Sequence, residues 1–232
     1  MPAEIEKNVM SFADHTPESE FADGLKGLVF DVDGVMFDSR NSNIEYYNLI
    51  RRAVNLPPIS PQEEDFCHMA SVHEALAVII PPQSREAAFK ACKQINYQER
   101  ILPMLSVEPG LLEALHWLRH WNVRLGIFTN RTNSVETLLR YFGLESFFSP
   151  VKTAGNSPPK PDPTGLLETA REWGVTPLQI AFLGDSRVDE QAAASAGVPF
   201  WAFRNEELNA RLHFSDFFKM ISWITPLVEG RQ

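Results

Sequence analysis

Apolar and polar positions alternate between two periods through the second half of this chain. Leu111-Leu112, Leu115, Trp117-Leu118 and Trp121 recur at helical spacing and predict one buried helix face. A short apolar run over 123–128 then predicts a strand, and 134–142 a helix closed by Gly143. The rhythm continues with a weaker strand at 151–154, a helix over 164–173 ended by Gly174, a strong strand at 179–183, an Ala-rich helix over 190–196 stopped by Gly197, and a strand at 199–203. Strands separated by helices predict a mostly parallel sheet with helices on both faces. The run 27–30 is apolar at every position, as a strand buried on both faces requires, and should join that sheet.

The region from 39 to 105 has a different texture. It carries no strong strand signal and three helical stretches. Ile44, Tyr47, Ile50 and Val54 share a face in the first, Val72, Leu76 and Ile79 in the second, and Ala88, Ala91, Cys92, Ile95 and Leu102 in the third. Pro57-Pro58, Pro61 and Pro81-Pro82 punctuate them. The pattern predicts an α/β core formed by 23–38 and 106–232, with 39–105 inserted as a helical unit directly after the first strand. An insert rooted there is placed to act as a lid. Residues 1–22 are polar, lack the apolar stretch of a secretory signal, and are expected to form a loosely ordered leader.

Composition narrows the functional classes. The net charge of −9 argues against a general binder of nucleic acid or anionic membrane. No segment approaches the roughly 20 apolar residues that span a bilayer. The two cysteines, Cys67 and Cys92, show no CxxC spacing and are expected to be buried thiols in a reducing cytoplasm.

Four polar signals fall at the ends of predicted strands or at a helix start. Asp31 and Asp33 follow the first strand, with Gly34 allowing a tight turn. Two carboxylates crowded where a parallel sheet binds ligands call for a cation, a shifted pKa, or both. Thr129-Asn130 follow the strand at 123–128. Lys160 stands in Pro159-Lys160-Pro161-Asp162-Pro163 before a helix. Gly184-Asp185-Ser186-Arg187-Val188-Asp189 follows the strand at 179–183. Each alone has an ordinary explanation: an N-cap pair, a solvated lysine, a capping serine with a first-turn acid, an Asp-Gly turn.

Their order is more specific. Asp31-Val32-Asp33-Gly34-Val35 with Phe37-Asp38-Ser39, then Thr129-Asn130, then Lys160-Pro161-Asp162-Pro163, then Gly184 to Asp189 with Ala193 and Ala196-Gly197, resembles the four motifs of the haloacid dehalogenase-like (HAD) hydrolase superfamily over nearly the whole chain past the leader. Val35 departs slightly, since many relatives have Thr there. The position of the helical insert resembles the subclass that contains phosphoglycolate phosphatase and β-phosphoglucomutase. The resemblance implies a Rossmann-like, doubly wound core with an inserted helical cap, and a Mg²⁺-dependent phosphatase acting on a small phosphorylated metabolite.

In that reading Asp31 is the nucleophile that forms an aspartyl-phosphate, and Asp33 protonates the leaving oxygen and then activates water. Mg²⁺ is held by Asp31, the Asp33 backbone carbonyl and Asp185, with Asp189 anchoring the metal's water shell or the loop. The Thr129 hydroxyl and Asn130 amide hold phosphoryl oxygens, and Lys160 neutralises Asp31 and the phosphate. Gly34 and Ser186 support the turns.

Arg131 and Arg187 are read as surface cations, and His68 and His73 as surface or packing residues of the insert. The cluster Phe214, Phe217, Phe218 and Trp223 is expected to pack the last helix on the sheet. A cytoplasmic monomer or homodimer, without nucleic-acid or membrane partners, is expected. A β-phosphoglucomutase-type mutase uses the same residues and stays open. So does a non-catalytic phospho-ligand binding relative. A dehalogenase is disfavoured because such relatives lack the second acid, here Asp33.

Overall fold

A computed structural model of the chain describes residues 24–229; the expected leader, 1–22, lies outside the described residues. Six parallel strands form one sheet: β1 (Gly27–Phe30), β4 (Arg124–Thr129), β5 (Val151–Thr153), β6 (Ile180–Gly184), β7 (Phe200–Phe203) and β8 (Leu212–Phe214), in the order β5-β4-β1-β6-β7-β8. β1 is central, paired with β4 and β6, and every one of its residues is buried.

Alternation along the strands divides the core between two faces. Leu28, Phe30, Leu125 and Ile127 point to one face, where they meet α6 (Leu111–His120), α7 (Val135–Tyr141) and α10 (Phe217–Glu229). Val29, Phe128 and Phe182 point to the other, against α8 (Thr164–Trp173) and α9 (Arg187–Ala196). The small residues Ala192, Ala193 and Ala196 let α9 approach that face closely. Gly174 and Gly197 end α8 and α9 in left-handed backbone, as the sequence suggests.

Between β1 and β4 the chain forms a two-stranded antiparallel ribbon, β2 (Phe37–Asp38) and β3 (Ser106–Val107), and between those strands a helical unit. The unit contains α1 (Arg40–Ala53), α2 (Pro61–Met69), α3 (Val72–Ile79), α4 (Arg85–Gln94) and α5 (Tyr97–Arg100). It packs around its own apolar cluster of Tyr47, Ile50, Ile59, Cys67, Leu76 and Ile79 with neighbouring residues.

Five helices stand where three were expected. Pro61 opens a helix instead of interrupting one: it occupies the first turn of α2, behind a capping box of Ser60 and Glu63. Only Cys67 of α2 is buried, so the helix has no apolar stripe to read. The third stretch divides because Ile95 is extended and Asn96 restarts a helix by accepting from the Glu99 N–H.

The aromatic cluster also divides. Phe214 belongs to the unforeseen edge strand β8, and Phe217 and the partly buried Trp223 pack into the core as expected, but Phe218 is half exposed. No described helix is long and apolar enough to cross a membrane.

Candidate active site

The motif residues converge at the carboxyl ends of β1, β4 and β6. The Asp31 N–H donates to the Leu183 carbonyl at 2.9 Å, which continues the sheet pairing one residue past β1 and aims Asp31 at the cleft. The chain then turns through Gly34, at φ +74°. A Cβ on Gly34 would stand 2.0 Å from the Asp185 carboxylate, so the turn passes directly beside the loop after β6.

Lys160 is buried at the centre, with Nζ 2.6 Å from Asp31 and 2.6 Å from Asp189. Its backbone is clamped by Asn130, whose Oδ1 accepts from the Lys160 N–H at 2.7 Å and whose Nδ2 donates to the Lys160 carbonyl at 3.1 Å. The same Nδ2 donates to the Met69 carbonyl of α2 at 3.0 Å. Both amide hydrogens are therefore occupied. In this arrangement the side-chain amide holds the lysine loop. The Thr129 hydroxyl is also buried and accepts from the Arg131 N–H at 3.2 Å.

Asp31, Asp185 and Asp189 bring ligand-capable oxygens within 4.8 Å of one another. Burial is the largest influence on Asp31; against the Lys160 charge, and with Asp189 and Asp33 adding to it, the carboxyl is pushed up to about 7. Burial also raises Asp185 well above the ordinary range, again with the charges of Asp189 and Asp31 adding to it. One lysine does not balance this concentration of negative charge.

The donor set is oxygen only, which fits a hard divalent cation such as Mg²⁺. Asp189 is already committed, Oδ1 to Lys160 and Oδ2 to the Ser186 N–H and hydroxyl. Asp31 and Asp185 are thus the side chains suited to a cation, and Asp189 is bonded within the loop that follows β6. Asn205, which the sequence reading missed, steadies the same loop by donating to the Asp185 carbonyl at 2.8 Å.

Arg131 overturns a sequence expectation. It is 9% exposed and no surface cation. Its Nη2 and Nε donate to Oδ1 and Oδ2 of Asp33 at 2.6 and 2.7 Å, and its Nη1 donates to the hydroxyls of Tyr97 and Ser134. Burial alone would raise the Asp33 carboxyl, but the Arg131 charge and hydrogen bonds outweigh it and hold the group well below the ordinary carboxylate range. Arg187, by contrast, extends outward as expected, with its side chain 63% exposed.

The helical unit closes the site. A cavity of about 700 Å³ is lined from below by Asp31, Asp33, Thr129, Lys160 and Asp185, and from above by side chains of α1 to α5. His68 belongs to this wall, with Nδ1 3.2 Å from Asn43, which also donates to Asp33. Burial is the main cause that lowers the His68 pKa. His73 reaches the same cavity and packs on Phe89. Cys67 and Cys92 are free thiols at its edge, Cys67 buried and Cys92 partly so.

The sequence profile described as haloacid dehalogenase-like hydrolase matches residues 28–203. The chain belongs to this family. Phosphoglycolate phosphatase of Chromobacterium violaceum is 28% identical over 184 residues, 75% of this chain and 82% of that protein. A HAD-superfamily hydrolase of subfamily IA, variant 1, from Geobacter sulfurreducens superposes with a TM-score of 0.70 at 36% identity, covering 86% of this chain and 96% of that one. The β-phosphoglucomutase of Clostridium difficile shares the fold, with a TM-score of 0.75 at 17% identity over 89% of this chain and 98% of its own. The chain is thus an enzyme, a HAD-like phosphoric monoester hydrolase, and it shares its fold with the mutase.

Proposed function

We propose that this enzyme is a Mg²⁺-dependent phosphatase that cleaves a small phosphate monoester, of the phosphoglycolate or sugar-phosphate kind, through an aspartyl-phosphate on Asp31. The observation that carries the reading is the placement of Asp31 at the mouth of the central strand, 2.6 Å from a buried lysine and beside the Asp185 carboxylate. Phosphoryl transfer needs an in-line nucleophile and dense positive charge around it. A carboxylate pushed up to about 7 is only half ionised near neutral pH. A divalent cation held by Asp31 and Asp185 would supply charge that keeps Asp31 ionised and offsets the charge of the phosphate.

In this reading Asp31 attacks phosphorus and the ester oxygen departs with a proton from Asp33. Water, deprotonated by Asp33, then releases phosphate from Asp31. Lys160 holds charge on Asp31 and the phosphoryl group, and Thr129 turns its hydroxyl hydrogen to a phosphoryl oxygen. The helical unit, residues 39–105, acts as a cap that keeps bulk water from the cavity.

Phosphate release from a panel of small monoesters, with and without Mg²⁺, tests the proposal, with Asp31→Asn run beside the unaltered enzyme. Mg²⁺-dependent release that vanishes in Asp31→Asn is expected. Release that survives the substitution would mean that another group is the nucleophile. Conversion of a sugar phosphate to its isomer without phosphate release would favour the mutase alternative.

A further inference from the structure

The cavity beside Asp31 is far larger than a two-carbon ester fills. At about 700 Å³ it lies in the range of pockets that enclose ligands with several rings. Its wall on the side of the helical unit is rich in aromatic and apolar groups, among them Phe89, His73, Tyr46 and Ile95. Phe89 of α4 and His73 of α3 are in ring contact, with centroids 5.4 Å apart and planes 30° from parallel. Phe89 is only partly buried and His73 is exposed, so the pair keeps aromatic surface open at the cavity. Histidines aside, Lys93 is the only side chain with a formal charge that the described residues of the helical unit add to this wall. Asn133 and Thr137 of the core add uncharged hydrogen-bonding groups.

This wall discriminates by chemistry. A flat ring laid on Phe89 removes apolar area from water and gains the favourable geometry of paired rings. A carboxylate gains nothing from such a surface and loses hydration. The Asn133 amide and the Thr137 hydroxyl each carry donors and acceptors, which suits the hydroxyls of a neutral linker.

We infer that the leaving half of the substrate carries a flat heteroaromatic ring that stacks on Phe89 and His73, joined to the phosphate through a neutral hydroxylated linker; the substrate class is the nucleoside monophosphates. The inference rests on the phosphatase reading above and narrows its sugar-phosphate kind to sugars that bear a base. Hydrolysis breaks the bond between phosphorus and the primary ribose oxygen. Water supplies the new oxygen of phosphate and the proton of the released nucleoside. Phe89 and His73 become specificity-determining residues remote from the reacting atoms. Their contact with the base is the same before and during reaction, so it acts on KM more than on kcat.

The test measures steady-state hydrolysis, with Mg²⁺, of uridine monophosphate, adenosine monophosphate and the methyl ribofuranoside that bears phosphate on the same primary oxygen. The last keeps the sugar and the leaving oxygen and lacks the base. At least one nucleotide is expected to exceed it in kcat/KM by about tenfold or more. Phe89→Ala should remove most of that advantage by raising KM for the nucleotide, and should change the base-free ester by less than about twofold. Phe89→Trp should keep the advantage, and His73→Ala carries the test if Phe89→Ala does not fold. The free nucleoside of the preferred nucleotide should inhibit competitively, and more weakly in Phe89→Ala.

A base-free ester handled as well as both nucleotides would overturn the inference, as would an equal loss on all three esters in Phe89→Ala and His73→Ala. Release that is still abolished by Asp31→Asn would in that case leave the phosphatase reading standing. An unaltered enzyme inert on these three and on the whole monoester panel would overturn both.

Discussion

Gly34 and Asp185 meet so closely that no side chain fits between them: a Cβ on Gly34 would lie 2.0 Å from Oδ2 of Asp185. The turn after β1 and the acidic loop after β6 are thereby held face to face. Gly34 also has φ +74°, where a side chain adds strain. Gly34→Ala is expected to displace the Asp185 carboxylate, weaken Mg²⁺ binding and lower activity by at least about tenfold, with a backbone cost of about 1–2 kcal/mol. Activity titrated against Mg²⁺ checks this; an unchanged Mg²⁺ midpoint would show that the close approach does not set the metal site.

Lys160 separates two buried carboxylates. Lys160→Met leaves Asp31 and Asp189 without their shared cation, which for a buried pair costs about 3–5 kcal/mol. Turnover should fall by about 100-fold or more. Urea unfolding at two pH values gives the check. The stability loss should be larger at pH 8 than at pH 5, where Asp31 takes up a proton.

Asn130 serves the same lysine through its backbone. Asn130→Ala removes an acceptor for the Lys160 N–H and a donor to its carbonyl, for a stability cost of about 1–3 kcal/mol. Because the lysine loop loosens, kcat should fall more than KM rises. Steady-state kinetics on the best monoester from the panel would reveal it. A change confined to KM would instead point to direct contact between the amide and substrate.

Stability should depend on pH and metal together. Asp31 and Asp185 ionise at higher pH in the folded protein than in an unfolded chain, where an Asp titrates near 3.9. The folded state holds extra protons between those limits. Their contribution is fully present below about pH 4 and is lost as pH rises through about 7, for Asp31. Asp33 is shifted the other way, so its contribution is present above about pH 4 and lost as pH falls. The metal-free protein should therefore melt at its highest temperature at mildly acidic pH and at a lower one at pH 8. Mg²⁺ should raise the melting temperature more at pH 8, where Asp31 is ionised. An equal Mg²⁺ effect at pH 5 and pH 8 would contradict the assigned ligands.

Much of this was legible along the chain because it is written in local pattern. The all-apolar run before Asp31, the helices stopped by Gly174 and Gly197, and the polar motifs at strand ends each depend on a few consecutive residues. Other elements left little local trace. β8 is three residues long, and β2 and β3 are two residues each; strands that short are stabilised by their partners and have no period of their own. α2 buries a single side chain, so its capping box was its only signal.

The amino-acid sequence by itself determined the strand–helix alternation, the position of the helical insert and the acids, lysine and threonine that meet at the site. Those follow from hydrophobic period, turn residues and motif order. Only the tertiary structure decided what each polar group is bonded to. Arg131 looks like an ordinary loop cation until it meets Asp33, 98 residues away, and Lys160 meets Asp31 across 129. Asn130 turned out to hold a backbone, and His68 to line a cavity, for the same reason. Hydrogen-bond partners and burial are set by which segments fold against each other, and a charged side chain carries no local mark of whether it faces water or another charge.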